Sequence, residues 1–511
     1  MDTLDGSVDV VVVGAGVAGL TAAVALAGEG LRVVVLDQEV ELGGRARTVI
    51  DPHTGDPLPI GPHVFLADYA NLRALLARLG TEDRVVWQQE PHLTVTDGAR
   101  SYRGRLDLAP PPFHFLPVLA RLRDLTLGDS LGSFPALLLA MQLDEGDVVR
   151  LDDLDAASVL RWLGASERSL EILWSFVSRN VLNLPLEQCS AGAFFRFCRF
   201  LVSRRTPSFG FADRGLGDVF AAPAQRLIER AGGQVRTGAQ VLSIAREGGS
   251  PIDVATTLGH LRARTVVVST PADVVPKLLG ERILALQPEL SALRNFQPVP
   301  YASVFLWFDT KLTCRRFWAR SFKPDDLGSD FYDLSNIYRG YTERPSLIAT
   351  NVIGRDRLDG RSDAALLEGV RAELAELLPA ASRARLRHAR VERIPMAIHA
   401  PYPGTEKLRP PARTAVPGLV LAGDWTRTGL PSCMESAALS GWRAAECVLE
   451  TLGRFRPLVR PLPAPAPLPA FASMLAHRLP VEPVDALLRA RPLLERIASA
   501  RRSGAGPPVG P

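Results

Sequence analysis

The stretch Val8-Asp-Val-Val-Val-Val13-Gly14-Ala-Gly16-Val-Ala-Gly19 decides the fold of this 511-residue chain. Residues 8–13 are a mostly β-branched run, which is typical of a strand buried on both faces of a parallel sheet. The three glycines follow directly, and an alanine-rich helix pattern then continues to residue 28. A second buried-strand pattern covers residues 32–36 and ends at Asp37. Strand, glycine turn, helix, strand and a final acidic residue together predict a β-α-β dinucleotide-binding unit.

Each glycine of this turn has a physical role. Gly14 permits the tight turn, Gly16 lets the backbone approach a pyrophosphate, and Gly19 lets the helix pack on the strand. The N-terminus of the helix offers free N–H groups to the phosphates, and Asp37 accepts hydrogen bonds from a ribose hydroxyl. The residues predicted to bind the dinucleotide here are Gly14, Gly16, Val17, Ala18, Gly19 and Asp37.

A second glycine turn, Gly43-Gly44-Arg45-Ala-Arg47, follows six residues after Asp37. Arginines beside a glycine turn suit phosphate groups, and a nicotinamide dehydrogenase does not need this element. The combination resembles the FAD-binding amine oxidase and carotenoid desaturase superfamily, in which Gly-Gly-Arg follows the first β-α-β unit. The resemblance implies that FAD is the cofactor, that Gly43 and Gly44 form its turn, and that Arg45 contacts the pyrophosphate and the adjoining flavin region. Asp37 stands where the family usually has glutamate.

Two further segments resemble the same family. Gly61-Pro62-His63-Val-Phe65 is similar to the segment that passes under the isoalloxazine in the desaturase branch. This similarity implies flavin contacts from Gly61, Pro62 and His63. His63 has two interpretations, as a ring that only packs or as a group that acts at the flavin. In residues 232–244, the resemblance implies that the backbone of Val241 pairs with the adenine.

The C-terminal motif is Gly423-Asp424-Trp-Thr-Arg-Thr-Gly-Leu-Pro-Ser-Cys-Met434. An apolar strand pattern ends at Gly423, and a helix pattern begins near Met434. The free N–H groups and the dipole of this helix suit the negative charge of a reduced flavin. The resemblance implies that Gly423 and Asp424 contact the ribityl or phosphate part of FAD, and that the helix start at Met434 faces the flavin. Ser436 stands where the family usually has glycine.

Because the FAD segments are spread along the chain, the fold is predicted to be α/β: a Rossmann-type FAD-binding domain of the glutathione reductase kind, an inserted α+β substrate domain and a basic C-terminal extension. The FAD-binding domain is predicted at 1–84, 231–290 and 396–453. The substrate domain is predicted at 85–230, which is expected to be largely helical, and at 291–395. Residues 454–511 are predicted to be a Pro/Ala linker followed by a basic amphipathic segment. Their removal from residue 455 onward is expected to leave FAD bound.

The motifs indicate a reaction on a long isoprenoid. Amine-oxidising members of the family commonly carry a pocket lysine, and the candidates for that lysine lie outside the recognised motifs: Lys277, Lys311 and Lys323. The Gly423–Pro431 stretch resembles the squalene-associated branch, which implies hydroxysqualene dehydroxylase; the segment around His63 resembles carotenoid desaturases, which is the alternative. An amine or protoporphyrinogen oxidase and a catalytically silent flavin-bound lipid carrier are weaker alternatives. His63 and Asp424 are the only catalytic candidates, and no acid–base pair is evident.

Charge and composition limit the partners. Residues 454–511 hold nine arginines and three acidic residues, a local charge of +6, which leaves −2 for residues 1–453. A nearly neutral body argues against nucleic acid. Five cysteines without a C-x-x-C motif predict neither a disulfide framework nor a metal site, and favour a cytosolic location.

Two segments have an apolar face that suits a bilayer, with packing inside the protein as the alternative. They are residues 110–143 and the basic segment 484–502. Residues 10–28 are uncharged, but the acidic start of the chain and the glycines at 14, 16 and 19 argue against a signal or a membrane span. The sequence therefore predicts a cytoplasmic protein with possible peripheral contact at the inner face of the membrane; it does not indicate an oligomeric state.

Overall fold

A computed structural model describes residues 4–88, 92–98, 100–105, 110–111, 113–115, 124–202, 208–248, 251–321, 323–476, 484–490 and 492. The β-strands, numbered in chain order, are β1 (Leu4–Val13), β2 (Val33–Leu36), β3 (Thr48–Ile50), β4 (Pro57–Pro59), β5 (Phe65–Leu66), β6 (Val85–Trp87), β7 (His92–Asp97), β8 (Arg100–Arg105), β9 (Phe209–Ala212), β10 (Gln234–Arg236), β11 (Val241–Ala245), β12 (Ile252–Thr256), β13 (Gly259–Val268), β14 (Pro298–Phe308), β15 (Phe317–Arg320), β16 (Gly328–Asp333), β17 (Leu347–Ile353), β18 (Leu386–His399) and β19 (Leu419–Leu421).

The α-helices are numbered in the same way. They are α1 (Val17–Ala27), α2 (Ala70–Leu79), α3 (Leu127–Gly132), α4 (Phe134–Gln142), α5 (Glu145–Leu151), α6 (Ala156–Trp162), α7 (Glu167–Ser169), α8 (Ser175–Val177), α9 (Ala191–Val202), α10 (Ala222–Arg230), α11 (Val275–Leu278), α12 (Glu281–Leu286), α13 (Leu334–Ile337), α14 (Arg355–Leu358), α15 (Asp363–Leu377), α16 (Pro379–Arg383), α17 (Met434–Thr451), α18 (Pro467–Ala476) and α19 (residues 484–490). Shorter 3-10 and π-helical turns include Gly44–Ala46, Leu170–Trp174, Ser178–Leu182 and Gly217–Ala221.

The first sheet carries the predicted dinucleotide unit. Its parallel strands lie in the order β10-β2-β1-β13-β19, and the antiparallel strands β12 and β11 extend it from β13. The chain moves from β1 to β2 on one side, whereas β13 lies on the other side of β1. The crevice for a ligand in such a sheet lies at the carboxyl ends of the strands where the order reverses, which here is the end of β1. The predicted strand–helix–strand unit at residues 8–36 is confirmed.

Both faces of this sheet are covered. Val10 and Val12 face a core shared with α1, α2, α10 and α17, while Val11 and Val13 face a second core shared with α11 and α12. Helices α1 and α17 cross closely, since a Cβ on Gly441 would lie 2.3 Å from the carbonyl oxygen of Ala18. The β-branched run of β1 is therefore buried on both sides, as its sequence predicts.

The second domain combines a mixed sheet with a helical bundle. Its sheet has the order β18-β14-β17-β16-β15-β7-β8. One face of the sheet packs on α15, and the other faces residues 49–64 of the FAD-binding domain. Helices α4, α6 and α9 form a separate core that is rich in aromatic side chains. This is the α+β domain that the sequence predicts as an insertion in the FAD-binding fold.

Two of the predicted domain limits, at residues 230 and 395, differ from the structure, and the segment 85–230 is less helical than predicted. The segment 85–230 is not wholly a helical insertion, because the hairpin β7–β8 extends the second sheet and α10 packs in the core of the FAD-binding domain. The limit at residue 395 falls inside β18, which continues to His399 along β14. Long-range sheet pairing decides these limits, and local sequence patterns carry little information about it.

The first part of the C-terminal extension is not a free linker. We call residues 454–463 the strap. Its side chains Leu458, Val459 and Leu462 pack against the core of the FAD-binding domain, and Glu446 accepts hydrogen bonds from the backbone N–H groups of Leu458 and Val459 over 2.6 and 2.9 Å. The strap therefore belongs to the FAD-binding domain, in contrast to the predicted linker.

The second part of the extension packs on the helical bundle. Helix α18 lies along α4, and α19 buries Val484 and Leu487 in the core of that bundle. Asp485 pairs with Arg150 of α5. Of the two interpretations of residues 484–502, residues 484–490 favour packing inside the protein, because Val484 and Leu487 are buried and Leu488 is half-buried. Residues 491 and 493–502 lie outside the described part of the chain. Within the residues that the structure describes, no helix has both the length and the hydropathy needed to cross a bilayer.

Candidate functional site

The glycine turn after β1 contains glycines that the fold itself requires and one that it does not. Gly14 adopts a φ of 100°, which favours glycine, and a Cβ on Gly19 would lie 2.0 Å from the carbonyl oxygen of Gly14. A Cβ on Gly16 would meet nothing within 4 Å, and its φ of −75° is open to any residue. The packing of the protein itself therefore requires glycine at 14 and 19 but not at 16. Open space beside Gly16, at the N-terminus of α1, fits the approach of a pyrophosphate.

Ser269 supports this turn and was missed by the sequence reasoning. Its hydroxyl lies 2.8 Å from the carbonyl oxygen of Val13 and 2.9 Å from that of Gly14, and it contacts the position where a Cβ of Gly19 would stand. Ser269 follows β13 directly, so its position is fixed by the parallel pairing of β1 with β13. A small hydroxyl residue directly after that buried strand is the signal that could have identified it.

Asp37 lies at the end of β2, beside the same turn. Its carboxylate accepts hydrogen bonds from Ala15 N over 2.6 Å and from Glu39 N over 2.9 Å. Burial raises the pKa of Asp37, and these two backbone N–H groups oppose that rise. The loop before Val241 closes on this site, because Ala239 N donates to the carbonyl oxygen of Asp37 over 2.8 Å. The structure therefore brings Asp37 and the start of β11 together, as required of residues that hold the two parts of an adenosine.

The Gly-Gly-Arg turn lies against the first glycine turn. Gly43 N donates to the carbonyl oxygen of Ala15 over 3.0 Å, and a Cβ on Gly44 would lie 3.3 Å from the Cα of Gly16. The φ of Gly43 is 113° and that of Gly44 is 56°, so both occupy the region that favours glycine. The two glycine turns thus share one edge of the sheet, although they are separated in sequence.

Arg45 and Asp424 form a bidentate ion pair at this edge. Arg45 Nη2 lies 2.5 Å from Asp424 Oδ1, and Arg45 Nη1 lies 3.1 Å from Asp424 Oδ2. The Asp424 side chain is 5% exposed and that of Arg45 is 33% exposed. Burial alone would raise the pKa of Asp424, but the charge and hydrogen bonds of Arg45 outweigh it and lower that pKa. Asp424 is therefore a carboxylate, and the open side of Arg45 can meet a phosphate or the flavin.

Helix α17 begins next to this ion pair. The thiol of Cys433 caps the helix by accepting a hydrogen bond from Ser436 N, and Met434 is buried in its first turn. Gly423 N donates to the hydroxyl of Ser440 over 2.8 Å, which fixes the preceding loop on the helix. The N-terminal end of α17 therefore lies beside Asp424, as the sequence predicts for the helix that faces a flavin.

The segment 60–63 is held from the second sheet. The hydroxyl of Ser303 donates to the carbonyl oxygen of Ile60 over 2.8 Å, and the ring of Tyr301 packs so tightly on Gly61 that a Cβ there would lie 1.6 Å from its hydroxyl. His63 Nδ1 lies 2.5 Å from the carbonyl oxygen of Gly61, so Nδ1 carries the proton. Burial lowers the pKa of His63. The His63 ring is therefore neutral near pH 7.

Tyr301 and Ser303 were also missed by the sequence reasoning. They alternate with buried aliphatic residues along β14, which places them on the sheet face that meets residues 60–63. A strand in which polar and aromatic residues recur at every second position is the signal that could have found them.

Comparisons with known proteins agree with this geometry. The family model described as flavin containing amine oxidoreductase matches residues 17–449. Similar curated proteins include a 15-cis-phytoene desaturase of Solanum lycopersicum (27% identity, 86% of this chain and 78% of the relative), a 15-cis-phytoene desaturase of Synechococcus elongatus (26%, 86% and 95%) and a zeta-carotene desaturase of Synechocystis (25%, 88% and 99%).

Solved structures show the same fold. A cyclohexylamine oxidase from Brevibacterium oxydans has a TM-score of 0.66 at 18% identity, covering 88% of this chain and 100% of that chain. A putrescine oxidase has a TM-score of 0.67 at 17% identity, covering 87% and 99%. The family match begins at the first residue of α1, directly after Gly16, and includes the Gly-Gly-Arg turn and all of the C-terminal motif. The chain therefore belongs to the flavin-containing amine oxidoreductase family and is an FAD-dependent oxidoreductase.

Proposed function

We propose that this FAD-dependent oxidoreductase acts on a long apolar isoprenoid and that its reaction is the dehydroxylation of hydroxysqualene to squalene. The observation that carries the proposal is the pairing of an apolar, aromatic sheet face with residues 60–63. The half-buried Phe317 on this face suits a hydrocarbon chain better than a charged substrate. The curated relatives are named as desaturases of isoprenoids over 86–88% of this chain, which supports the same substrate class.

The FAD site is proposed to use the residues that the sequence singles out. The two glycine turns and α1 would hold the pyrophosphate, Asp37 a ribose, the backbone of Val241 the adenine, and the start of α17 the flavin. The proposed set is Gly14, Gly16, Val17, Ala18, Gly19, Asp37, Gly43, Gly44, Arg45, Gly61, Pro62, His63, Val241, Gly423, Asp424 and Met434. When bound, FAD supplies hydride transfer, and the protein supplies its placement and polarity.

The positions of the lysines do not support amine oxidation. Lys311 Nζ donates to the hydroxyl of Ser335 over 2.9 Å, and the side chains of Lys277 and Lys323 are 70% and 53% exposed in surface ion pairs. Lys407 pairs with Asp153 on the surface. These lysines are therefore engaged away from residues 60–63 and the ion pair at Asp424.

The C-terminal loop favours the dehydroxylase over the desaturase. Thr428 and Ser436 share a hydrogen bond of 2.7 Å, and Leu430 N donates to the hydroxyl of Thr428 over 3.3 Å. Ser436 therefore closes the loop with a contact that a glycine there would not make. This loop holds the sequence that resembles the squalene-associated branch, whereas the names of the curated relatives favour phytoene or zeta-carotene desaturation as the second candidate.

Anaerobic mixing of the purified holoprotein with each substrate tests the proposal. We expect hydroxysqualene to reoxidise chemically reduced flavin and to yield squalene in the lipid extract. Phytoene that bleaches oxidised flavin would support the desaturase instead. Flavin reduction by an amine or a porphyrinogen would contradict both. If none of these substrates changes the flavin spectrum, the result would support a flavin-bound lipid carrier without catalytic activity.

Part of the segment 110–143 supports peripheral membrane contact. Leu127 and Leu131 on α3 are 76% and 64% exposed, which is unusual for large apolar side chains on one short helix. We propose that this helix touches the bilayer from which the substrate enters. The variant Leu127→Glu/Leu131→Glu should float less with anionic liposomes, whereas Leu286→Glu on α12, where the leucine is 61% exposed, should float as the unaltered protein does. Equal flotation of all three would contradict the contact.

A further inference from the structure

A row of polar side chains crosses the face of the second sheet that packs against residues 49–64, which we call the inner face. The Ser303 hydroxyl on β14 lies 2.9 Å from Asn351 Oδ1 on β17 and 2.8 Å from the carbonyl oxygen of Ile60, so its single proton is shared between two acceptors. The register places Asn351 beside the irregular part of β16, between Gly328 and Phe331, which contains Asp330. Most other side chains on this face are aromatic or aliphatic, so a carboxyl group here needs an explanation.

Asp330 turns toward this inner face. Tyr332, two residues along the same strand, donates its hydroxyl to Asp330 Oδ2 over 2.7 Å, and Tyr332 packs against Phe211 and Phe317. Phe331, between them, points into the opposite core with α15. Since alternate residues of a strand share a face, Asp330 and Tyr332 both lie on the side of residues 60–63.

The Asp330 carboxyl is electrostatically linked to the FAD site through Tyr301. The charges of both Asp330 and Arg45 act on the Tyr301 hydroxyl, whose ring packs on Gly61. Tyr301 is therefore close enough to be affected by both the Asp330 carboxyl and Arg45 of the Gly-Gly-Arg turn. Among titratable groups, Tyr332 acts on Asp330 through its hydrogen bond, and the Asp330 charge in turn raises the pKa values of Tyr301 and Tyr332.

The two catalytic candidates from the sequence fit an acid role poorly. Asp424 is held as a carboxylate by two hydrogen bonds from Arg45. His63 is neutral, and the proton on Nδ1 is engaged by the carbonyl oxygen of Gly61. Within the part of the chain that the structure describes, no cation pairs with Asp330. Burial raises its pKa to about 6, against hydrogen bonds from the Tyr332 hydroxyl, from the backbone and side chain of Asn351 and from its own backbone.

We propose that Asp330 is the proton-transfer residue of the substrate site and that Tyr332 is its positioning residue. This inference rests on the proposed dehydroxylation. The protonated carboxyl of Asp330 gives its proton to the departing hydroxyl, the C–O bond breaks with its electron pair on oxygen, and water leaves. The substrate becomes an allylic cation and Asp330 a carboxylate that faces it. When bound, reduced FAD would supply the hydride, one proton with two electrons, that converts this cation to the product, and Asp330 regains its proton from solvent.

The pH dependence follows from this role. An acid must be protonated to act, so kcat/KM should be highest below about pH 6 and fall as the pH rises through the pKa of Asp330. Removal of the Tyr332 hydroxyl takes away a hydrogen bond that stabilises the carboxylate, so Tyr332→Phe should move this fall to higher pH.

Asp326 provides a matched control. Burial also raises the pKa of Asp326 to about 6, but it pairs with Arg320 at 2.9 Å in a cluster with Glu373. That cluster lies at the start of β16 and beside α15, away from residues 60–63. Asp326→Asn therefore removes a carboxyl of similar pKa without touching the proposed site.

The experiment compares the purified holoproteins of Asp330→Asn, Tyr332→Phe and Asp326→Asn. We expect Asp330→Asn to keep its flavin absorbance, to lose about 10²–10⁴-fold in kcat/KM, and to lose the fall near pH 6. Asp326→Asn should retain both the rate and the fall. Infrared difference spectra between about pH 5 and pH 7.5 should lose one protonated-carboxyl band in each aspartate variant, and only the Tyr332→Phe spectrum should show a band that titrates at higher pH.

Each outcome decides the inference. It is overturned if Asp330→Asn keeps the normal rate and pH profile, or if Asp326→Asn abolishes the fall. If Asp330→Asn does not fold, the direction of the shift in Tyr332→Phe decides, and an unchanged profile overturns the inference. If the unaltered protein does not turn over hydroxysqualene, the proposed function fails, whereas the infrared titration still shows whether Asp330 is protonated near neutral pH. A rate that instead rises through pH 6 and depends on Asp330 would overturn the acid role and support desaturation with Asp330 as the base.

Discussion

The side-chain amide of Asn71 pairs with the backbone of Arg460. Arg460 N donates to Asn71 Oδ1 over 2.9 Å, and Asn71 Nδ2 donates to the carbonyl oxygen of Arg460 over 3.0 Å. The same amide nitrogen lies 2.9 Å from Glu435 Oε1, in the first turn of α17. Trp442 Nε1 donates to the carbonyl oxygen of Asn71 over 3.0 Å. Asn71 therefore joins the strap directly to the helix that is proposed to face the flavin.

This pairing predicts that the strap is required for FAD retention, contrary to the expectation from the sequence. Two truncated chains, ending at residue 454 and at residue 463, both lack α18 and α19 and differ only in the strap. We expect the shorter chain to have the lower melting temperature and flavin content, because it loses the bonds to Asn71 and Glu446 and uncovers the apolar core beneath the strap. Equal flavin content per folded chain would show that the strap is dispensable.

Asn71→Ala should weaken the same connection without removing any backbone. The substitution leaves the N–H and carbonyl groups of Arg460 without their partners and takes one donor from the buried carboxylate of Glu435. We expect a loss of about 1–3 kcal/mol in the free energy of unfolding, because the buried carboxylate of Glu435 loses a donor, whereas water can bind the backbone of the exposed Arg460. Gln225→Ala, which removes an exposed amide bonded to Glu229, is the control and should change stability by less than about 0.5 kcal/mol. A similar small effect at both positions would contradict the role of Asn71.

Gly16 and Gly19 should respond differently to alanine. At Gly19 the added Cβ overlaps the carbonyl oxygen of Gly14, so Gly19→Ala should destabilise the protein by about 1–3 kcal/mol even without cofactor. At Gly16 the added Cβ has space, so Gly16→Ala should keep the stability of the cofactor-free protein and lose FAD affinity. Denaturant unfolding of the apoproteins and titration with FAD separate the two effects. Normal FAD affinity in Gly16→Ala would show that the pyrophosphate does not bind at this turn.

Asp424→Asn should leave Arg45 without its charged partner. We expect a loss of about 2–3 kcal/mol in stability, because the carboxylate is buried and accepts two hydrogen bonds from Arg45. The folded pKa of Asp424 lies below its ordinary value, so its contribution is complete above about pH 4 and is lost as the pH falls through the folded pKa. The stability difference between the two proteins should therefore be constant near neutral pH and shrink in acid. Asp253→Asn, which affects an exposed ion pair with Arg262, should show neither effect.

The parts of the site that the sequence predicts are those with a local pattern. The strand, glycine turn and helix at residues 8–28 are determined by neighbours in sequence, and so is the start of α17. Arg45 and Asp424 were both identified as FAD contacts, but their mutual ion pair joins positions 379 residues apart and has no local signal. The strap was predicted to be a free linker because proline-rich composition indicates an extended chain and not what that chain binds.

Asp330 escaped prediction for a different reason. In sequence, Asp330 has the same appearance as an acidic residue on a solvated strand, and only the packing of neighbouring strands shows that it lies on the inner face. Tyr332, two residues after Asp330, is a signal that could have identified it, since a tyrosine at that spacing can reach a carboxyl on the same face of the strand. The helical bundle lies in the segment 85–230 that the sequence predicts to be largely helical, whereas its contact with α19 depends on a segment far away in sequence.

The C-terminal extension also changes how the two domains come apart. The strap lies on the FAD-binding core while Val484 and Leu487 are buried in the helical bundle, so one stretch of chain holds both bodies. Unfolding of the FAD-binding core loses the contacts of the strap, and unfolding of the helical bundle loses the buried contacts of Val484 and Leu487. Loss of α18 and α19 should therefore destabilise the helical bundle more than the FAD-binding core. One C-terminal stretch of chain thus contributes to the stability of two separate cores.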